Sequence, residues 1–192
     1  LFLDTTDQAE RFQKKLLEAY IKAHTHRDTR QEGQLDVAII GAGATGVELA
    51  AQLHEVSHLL NAFGLREVKP ADVKISLIEA ADRILPGVIP RVSAATHQEL
   101  AKLGIGVLTG ERVIKVTEDE VHTASGTIIK APIQVWAAGV KAPDFLKEIS
   151  GLETNRISQL VVEQTLQTTL DADVYAIGDC AACAWPGHDS NV

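Results

Sequence analysis

Apolar residues recur along this chain with two different periods, and the switches between them outline a fold. Over 5–23, TTDQAERFQKKLLEAYIKA, residues Phe12, Leu16, Leu17, Tyr20 and Ile21 stand mostly three and four apart behind a Thr or Asp cap, which predicts an amphipathic helix. Residues 24–34 are polar and unpatterned and read as a loop or linker, with His24 and His26 solvated. LDVAII (35–40) is a short apolar run ending at Gly41, the pattern of a buried parallel strand. A helical pattern follows over about 45–63, then a second strand, VKISLIEA (73–80), and a helix over 91–104 closed by Gly104. Strands then come in close succession: IGVLT, RVIKVT, EVHTA, TIIKA and IQVWAA, with a hairpin at Ser125-Gly126. LVVEQ (160–164) and DVYAIGD (173–179) read as two more short strands. This order predicts the α/β class: a Rossmann-like parallel sheet with helices on both faces, plus an antiparallel β-meander.

Between the first strand and the long helix lies GAGATG, a G-x-G-x-x-G placed where its mechanism requires it. Gly41 permits the tight turn, Gly43 lets a pyrophosphate approach the backbone, and Gly46 lets the helix pack close to the strand. Ala44 and Thr45 complete the candidate phosphate turn, whose amides would face the phosphates at the helix start. Glu79 ends the next strand, where it can accept hydrogen bonds from the adenosine ribose and repel a 2′-phosphate, favouring NADH over NADPH. It lies further along the chain than usual, and the long helix and the GLREVKPAD loop account for the excess. The competing reading is a glycine-rich turn in another α/β domain, chiefly a methyltransferase-type one.

The same long helix contains His54-Glu55-Val56-Ser57-His58, which matches the zinc-peptidase pattern H-E-x-x-H. Leu49, Leu53, Val56, Leu60 and Phe63 form an apolar stripe at helical spacing, which places both histidines on the far side. The extended pattern also fails, because Asn61 stands where Gly is required and Gly64 where His is required. Cys180-Ala-Ala-Cys183 has the spacing of a redox dithiol or half a metal site, but the chain has no second cysteine pair to complete a Cys₄ zinc site. No metal ligands are assigned.

Composition narrows the classes further. At 192 residues and 45% hydrophobic, the chain can build a full core. Its net charge of −8 argues against nucleic acid or an anionic lipid surface as partner. No apolar run is long enough for a transmembrane helix, no signal peptide is visible, and two cysteines suit a reducing compartment. Met is absent even at residue 1, so the chain is expected to be an internal piece of a longer protein.

GAGATGVELA, ISLIEAADRILP, VWAAGVKAP and TLDADVYAIGDCA, in this order, resemble the flavoprotein reductases with two dinucleotide-binding domains. Within them the chain looks like the type II NADH dehydrogenases, single-subunit NADH:quinone oxidoreductases of respiratory membranes. The resemblance covers nearly the whole chain. It implies an N-terminal helix and linker over 1–32, an NADH-binding domain over 33–140 and part of an FAD domain over 141–192. It implies NADH and FAD as cofactors, a quinone as acceptor, and peripheral attachment at the cytoplasmic side of the membrane through parts not contained here. A homodimeric parent is compatible with it. Asp179 matches the family aspartate that hydrogen-bonds the FAD ribitol, and Ala138 and Gly139 of WAAG match residues near the dinucleotides. Glu48 matches an acidic residue near nicotinamide and flavin. Its plainer reading is a carboxylate in the first helical turn, favoured there by the dipole. The first, FAD-phosphate G-x-G-x-x-G of the family is missing, so the isolated chain is expected to hold FAD poorly and not to reduce quinone. Ferredoxin or disulfide reductases of the same superfamily, or a non-catalytic NADH-sensing module, are the alternatives.

Overall fold

The computed structural model describes residues 2–3, 5–26, 31–139 and 141–184. They form two compact units, Leu1–Ala138 and Gly139–Val192.

The first unit opens with helix α1, Thr6–Thr25. The Thr5 hydroxyl caps it by accepting from the Gln8 N–H at 3.3 Å. Strand β1 (Val37–Ile40), helix α2 (Ala44–Leu59), strand β2 (Ile75–Ile78), helix α3 (Pro90–Lys102) and strand β3 (Gly106–Leu108) follow. A meander of β4 (Val113–Val116), β5 (Glu120–Thr123) and β6 (Ile128–Lys130) precedes β7 (Ile133–Trp136). The main sheet is parallel in the order β3-β2-β1-β7, and the meander is a separate antiparallel sheet. The β5–β6 hairpin turns at Ser125-Gly126 as its sequence predicts, with Gly126 at φ 93°.

β1 is buried at every position, because it is central in the sheet and both its faces are covered. Its two faces meet different layers. Val37 and Ile39 join Ile75, Leu77, Ile133 and Val135 in one core, into which all three helices pack through residues such as Phe12, Leu16, Tyr20, Ala50, Leu53 and Leu100. Ala38 and Ile40 join Ile78 in a second core, which the meander closes with Val121, Val113 and Ile129. The α/β class, the parallel sheet and the meander stand as expected. The second face carries the meander in place of the expected helices. The physical reason is that β5 is itself amphipathic, burying Val121 and Thr123.

Two helical stripes differ from expectation. On α1, Phe12, Leu16 and Tyr20 are buried, whereas Leu17 and Ile21 are exposed and Ala23 completes the inward face. On α2 the buried line is Gly46, Ala50, Leu53, Ser57 and Leu60, at spacings of four and three. Val56 lies outside it, and Phe63, beyond the helix, is 74% exposed. A Cβ on Gly46 would overlap the carbonyl oxygen of Gly41 and touch Leu77 Cδ1 at 3.4 Å. That close approach brings Gly46, Ala50 and Ser57 into the buried line beside Leu53 and Leu60, and leaves Val56 outside it.

The expected linker over 24–34 is shortened by α1, which runs through Thr25, and residues 27–30 of it lie outside the described residues. His24 is not a solvated linker residue: from the last turn of α1 its Nδ1 accepts the Glu67 N–H at 3.3 Å.

In the second unit, β8 (Leu160–Val162) pairs in parallel with β9 (Ala181–Cys183) over a small core of Ala142, Leu146, Leu160, Val162, Ala176 and Ala181. The strand expected over 173–179 is not formed. Tyr175 makes a single bridge to Gln167, Ile177 is 69% exposed, and Gly178–Cys180 is a 3₁₀ turn. Of VYAI only Ala176 joins the core, so the segment has the apolar pattern of a strand without the covered faces that would hold one.

Two outcomes follow. Replacing Gly46 by Ala forces α2 off β1 and should lower unfolding stability by about 3 kcal/mol, read from urea denaturation. An unchanged midpoint would mean that the helix and strand do not meet as described. Tyr20 is 2% exposed and its hydroxyl has no hydrogen-bond partner among the described residues. Burial pushes this phenol up to about 12. Its folded value lies above the unfolded one, so the stability linked to it is complete below about pH 10 and fades toward pH 12. Tyr20→Phe should therefore match or slightly exceed the parent at pH 7. It should also remove on the order of 2 kcal/mol of the alkaline loss, measured as the difference between the two proteins' unfolding free energies from pH 9 to 12.

Candidate functional site

The carboxyl end of the parallel sheet gathers most of the residues singled out in the sequence. Gly41 follows β1 with φ 105°, and a Cβ there would collide with Ala138 beyond the end of β7, 2.6 Å from its amide nitrogen. Gly41 is therefore demanded twice, by its backbone conformation and by the neighbouring strand's continuation. Ala138 thus enters the site first as a packing surface. Its carbonyl accepts the Trp136 indole N–H at 3.0 Å.

Gly43 is the N-cap of α2 in extended backbone, and no side chain caps the helix. A Cβ on Gly43 would meet nothing within 4 Å. The helical ladder begins with the Val47 N–H donating to the Gly43 carbonyl at 3.1 Å, so the amides of Ala44, Thr45 and Gly46 precede it. Ala44 and Thr45 are exposed. An open approach over uncapped amides at a helix start is a surface that an anion can occupy.

Glu79 stands directly after β2, half-buried, beside this turn. Its Oε2 accepts the Ala42 N–H at 2.7 Å and its Oε1 accepts the Ala81 N–H at 2.9 Å. Each carboxylate oxygen keeps lone-pair capacity for a further donor. Glu48 is exposed and is the fifth residue of α2, beyond the first turn, so the dipole reading of that residue does not apply.

Gly139, at φ 83°, and Asp179, exposed on the 3₁₀ turn, belong to the second unit. In that unit the Asp179 carbonyl accepts from Gln159 Nε2 at 3.1 Å. Cys180 and Cys183 are free thiols that face different main-chain carbonyls, those of Ile177 and Glu163.

His54 and His58 sit with ring centroids 4.4 Å apart, and the His58 Nδ1 lies 3.0 Å from the His54 carbonyl, which it can engage only as a donor. His54 is half-buried at the edge of the packed face, not opposite it. Among the described residues no group of three His, Cys, Asp or Glu side chains is arranged to hold a metal ion.

ISLIEAADRILP marks the segment after β2 by resemblance, but the sequence did not point to the contacts by which it braces the turn. Leu85 donates its N–H to the Ala42 carbonyl at 2.7 Å, with Ile84 fully buried beneath it. Arg83 binds the carbonyls of Pro86 and Val88 and so braces the loop. The Leu85–Ala42 bond joins two main-chain groups and the Arg83 guanidinium binds main-chain carbonyls, so the partners' residue types give no signal for them. A cavity lined by Glu32, Leu35, Asp36, Ala71, Asp72 and Lys74 lies at the opposite, amino-terminal end of β1 and β2, where open α/β sheets do not place their ligands. Among the described residues no helix is long and apolar enough to cross a membrane.

Comparison with known proteins agrees with the fold. A type II NADH:quinone oxidoreductase of Haemophilus influenzae is 40% identical over 95% of the chain, which covers 44% of that protein. An external alternative NAD(P)H-ubiquinone oxidoreductase B1 of Arabidopsis thaliana is 30% identical over 95% of the chain, covering 33% of that protein. The chain thus spans less than half the length of these relatives. Among solved structures, NDH2 from Plasmodium falciparum in complex with NADH superimposes with a TM-score of 0.74 at 26% identity, covering 95% of this chain and 39% of that one. A ferredoxin reductase from Rhodopseudomonas palustris shares the fold, with a TM-score of 0.68 at 22% identity over the whole chain and 41% of its own. The sequence profile of the pyridine nucleotide-disulphide oxidoreductases matches residues 1–191, and the chain belongs to that family.

Proposed function

We propose that this chain is the NADH-binding part of a flavoprotein oxidoreductase that passes electrons from NADH through FAD to a quinone. The observation that carries the reading is the open, uncapped phosphate turn at Gly43 with the Glu79 carboxylate beside it. A pyrophosphate would rest on the amides of the turn from Gly43 to Gly46, with Ala44 and Thr45 exposed toward it. Glu79 would accept the adenosine ribose hydroxyls through its remaining lone pairs, and its charge would disfavour a 2′-phosphate. Glu48, on the exposed side of α2, is assigned to the nicotinamide end. Ala138 and Gly139 are assigned to the dinucleotides, and the exposed Asp179 carboxylate to the flavin ribitol. The bound dinucleotides supply the hydride chemistry, and the residues of this chain bind and orient them.

The quinone acceptor is drawn from the names of the Haemophilus and Arabidopsis relatives, and NADH from the Plasmodium complex. FAD rests on Asp179 and Gly139 together with the family resemblance, and this chain offers no second glycine turn for it. Retention of FAD by the chain alone is therefore expected to be weak.

Calorimetric titration of the 192-residue chain, without added flavin, should give tighter binding of NADH than of NADPH, by at least about tenfold from charge repulsion. Equal affinities would remove Glu79 from the ribose pocket, and no binding of either nucleotide to the folded chain would sink the reading. Gly43→Ala provides the companion test. Its Cβ meets nothing in the protein, so stability should change by no more than about 1 kcal/mol while NADH affinity falls roughly tenfold or more. Retained affinity would mean that no phosphate approaches there.

A further inference from the structure

Ala42, between the first two glycines of the turn, is fully buried, so it serves the site through its backbone. Both of its main-chain groups are held by the segment that follows β2. Its N–H donates to Glu79 Oε2 at 2.7 Å, and its carbonyl accepts the Leu85 N–H at 2.7 Å. The second Glu79 oxygen accepts the Ala81 N–H at 2.9 Å, which fixes the carboxylate in one orientation. Leu85 adopts φ 48°, a left-handed conformation that a branched side chain takes only where its surroundings impose it. They do so here: Ile84 is fully buried, and its carbonyl accepts the Ser93 hydroxyl of α3 at 2.6 Å.

From this we propose that Glu79 is a positioning residue for the phosphate turn, in addition to the ribose role that the proposed function gives it. The carboxylate matches its two partners because both are N–H donors and it accepts at both oxygens. A Gln side chain would present an NH₂ group to one of them, and Asp is one methylene too short to span both. Ribose recognition and the shape of the phosphate turn then form one unit. A substitution at 79 meant only to admit a 2′-phosphate would also loosen the turn that holds the pyrophosphate.

The test uses the full 192-residue chain and its Glu79→Gln variant. Binding of ADP and of 2′,3′-dideoxy-ADP is measured by calorimetry, and amide hydrogen exchange is followed by NMR. The dideoxy ligand has no ribose hydroxyls to offer Glu79, so a pure ribose ligand would leave its affinity unchanged. The expected result is a loss of about tenfold for both ligands, with Ala42 exchange accelerated by a similar factor and Val135 exchange in β7 unaltered. General unfolding would accelerate Val135 as well. Weakening confined to ADP, with Ala42 exchange unchanged, overturns the proposal. So does a parent protein whose Ala42 amide exchanges as fast as the uncapped amides of Ala44 and Thr45, a measurement that needs no variant. If neither ligand binds the parent, the nucleotide reading falls, and the exchange data alone still decide whether Glu79 holds Ala42.

Discussion

The position of the candidate site depends on the place where α2 meets the end of β1. Residue 46 has no side chain there, and the helix backbone rests against the Gly41 carbonyl. This contact puts the uncapped start of α2 at the carboxyl edge of the sheet, over its central pair of strands. The parallel register supplies the second half. With Ile40 beside Ile78, the Gly41 N–H donates to the Ile78 carbonyl, and Glu79 emerges level with the turn, where it reaches Ala42. A slip of one residue in β2 would turn Glu79 to the other face and send Leu77 out of the helical core.

That register is held because β1 is covered on both sides by different means. Three helices meet one face and a three-stranded meander meets the other. Alternate residues of β1 are thus committed to chemically similar but structurally distinct cores. Each layer resists a slip by itself, since moving the strand by one position exchanges both sets at once. The site therefore stands on strand ends that are fixed by burial below them, while the turn and the Glu79 carboxylate remain accessible to a ligand.

The parts of this arrangement that were legible in the sequence are those carried by a distinctive residue type. Three glycines at fixed spacing between an apolar run and a helical pattern located the turn, and Glu79 ended the next strand. The α2 stripe was misread because hydrophobicity weights large side chains, whereas a helix held against a strand by Gly46 buries Ala50 and Ser57 and leaves Val56 and Phe63 outside. DVYAIGD has the composition of a strand, but strand formation depends on neighbours, and only Ala176 has an apolar neighbourhood in this unit. His24 looked solvated because its acceptor role depends on the Glu67 amide, far away in sequence. The bracing of Ala42 by Leu85 could not be read at all, since it joins two main-chain groups and any residue other than proline could donate.

A chain carrying a net charge of −8 is an unexpected host for a dianionic pyrophosphate, and the turn GAGATG offers it neither Lys nor Arg. On the proposed reading, local dipoles outweigh the total charge. Surface carboxylates more than a Debye length away, about 8 Å at physiological ionic strength, are largely screened. The uncapped amides of α2 would touch the phosphates directly and carry the positive end of the helix dipole. The same argument gives Glu79 its selectivity. A carboxylate held at the ribose by two backbone amides cannot swing away from a 2′-phosphate, so its charge acts at close range where screening is weakest. The hydrogen bonds that shape the turn would then also keep the discriminating charge in place.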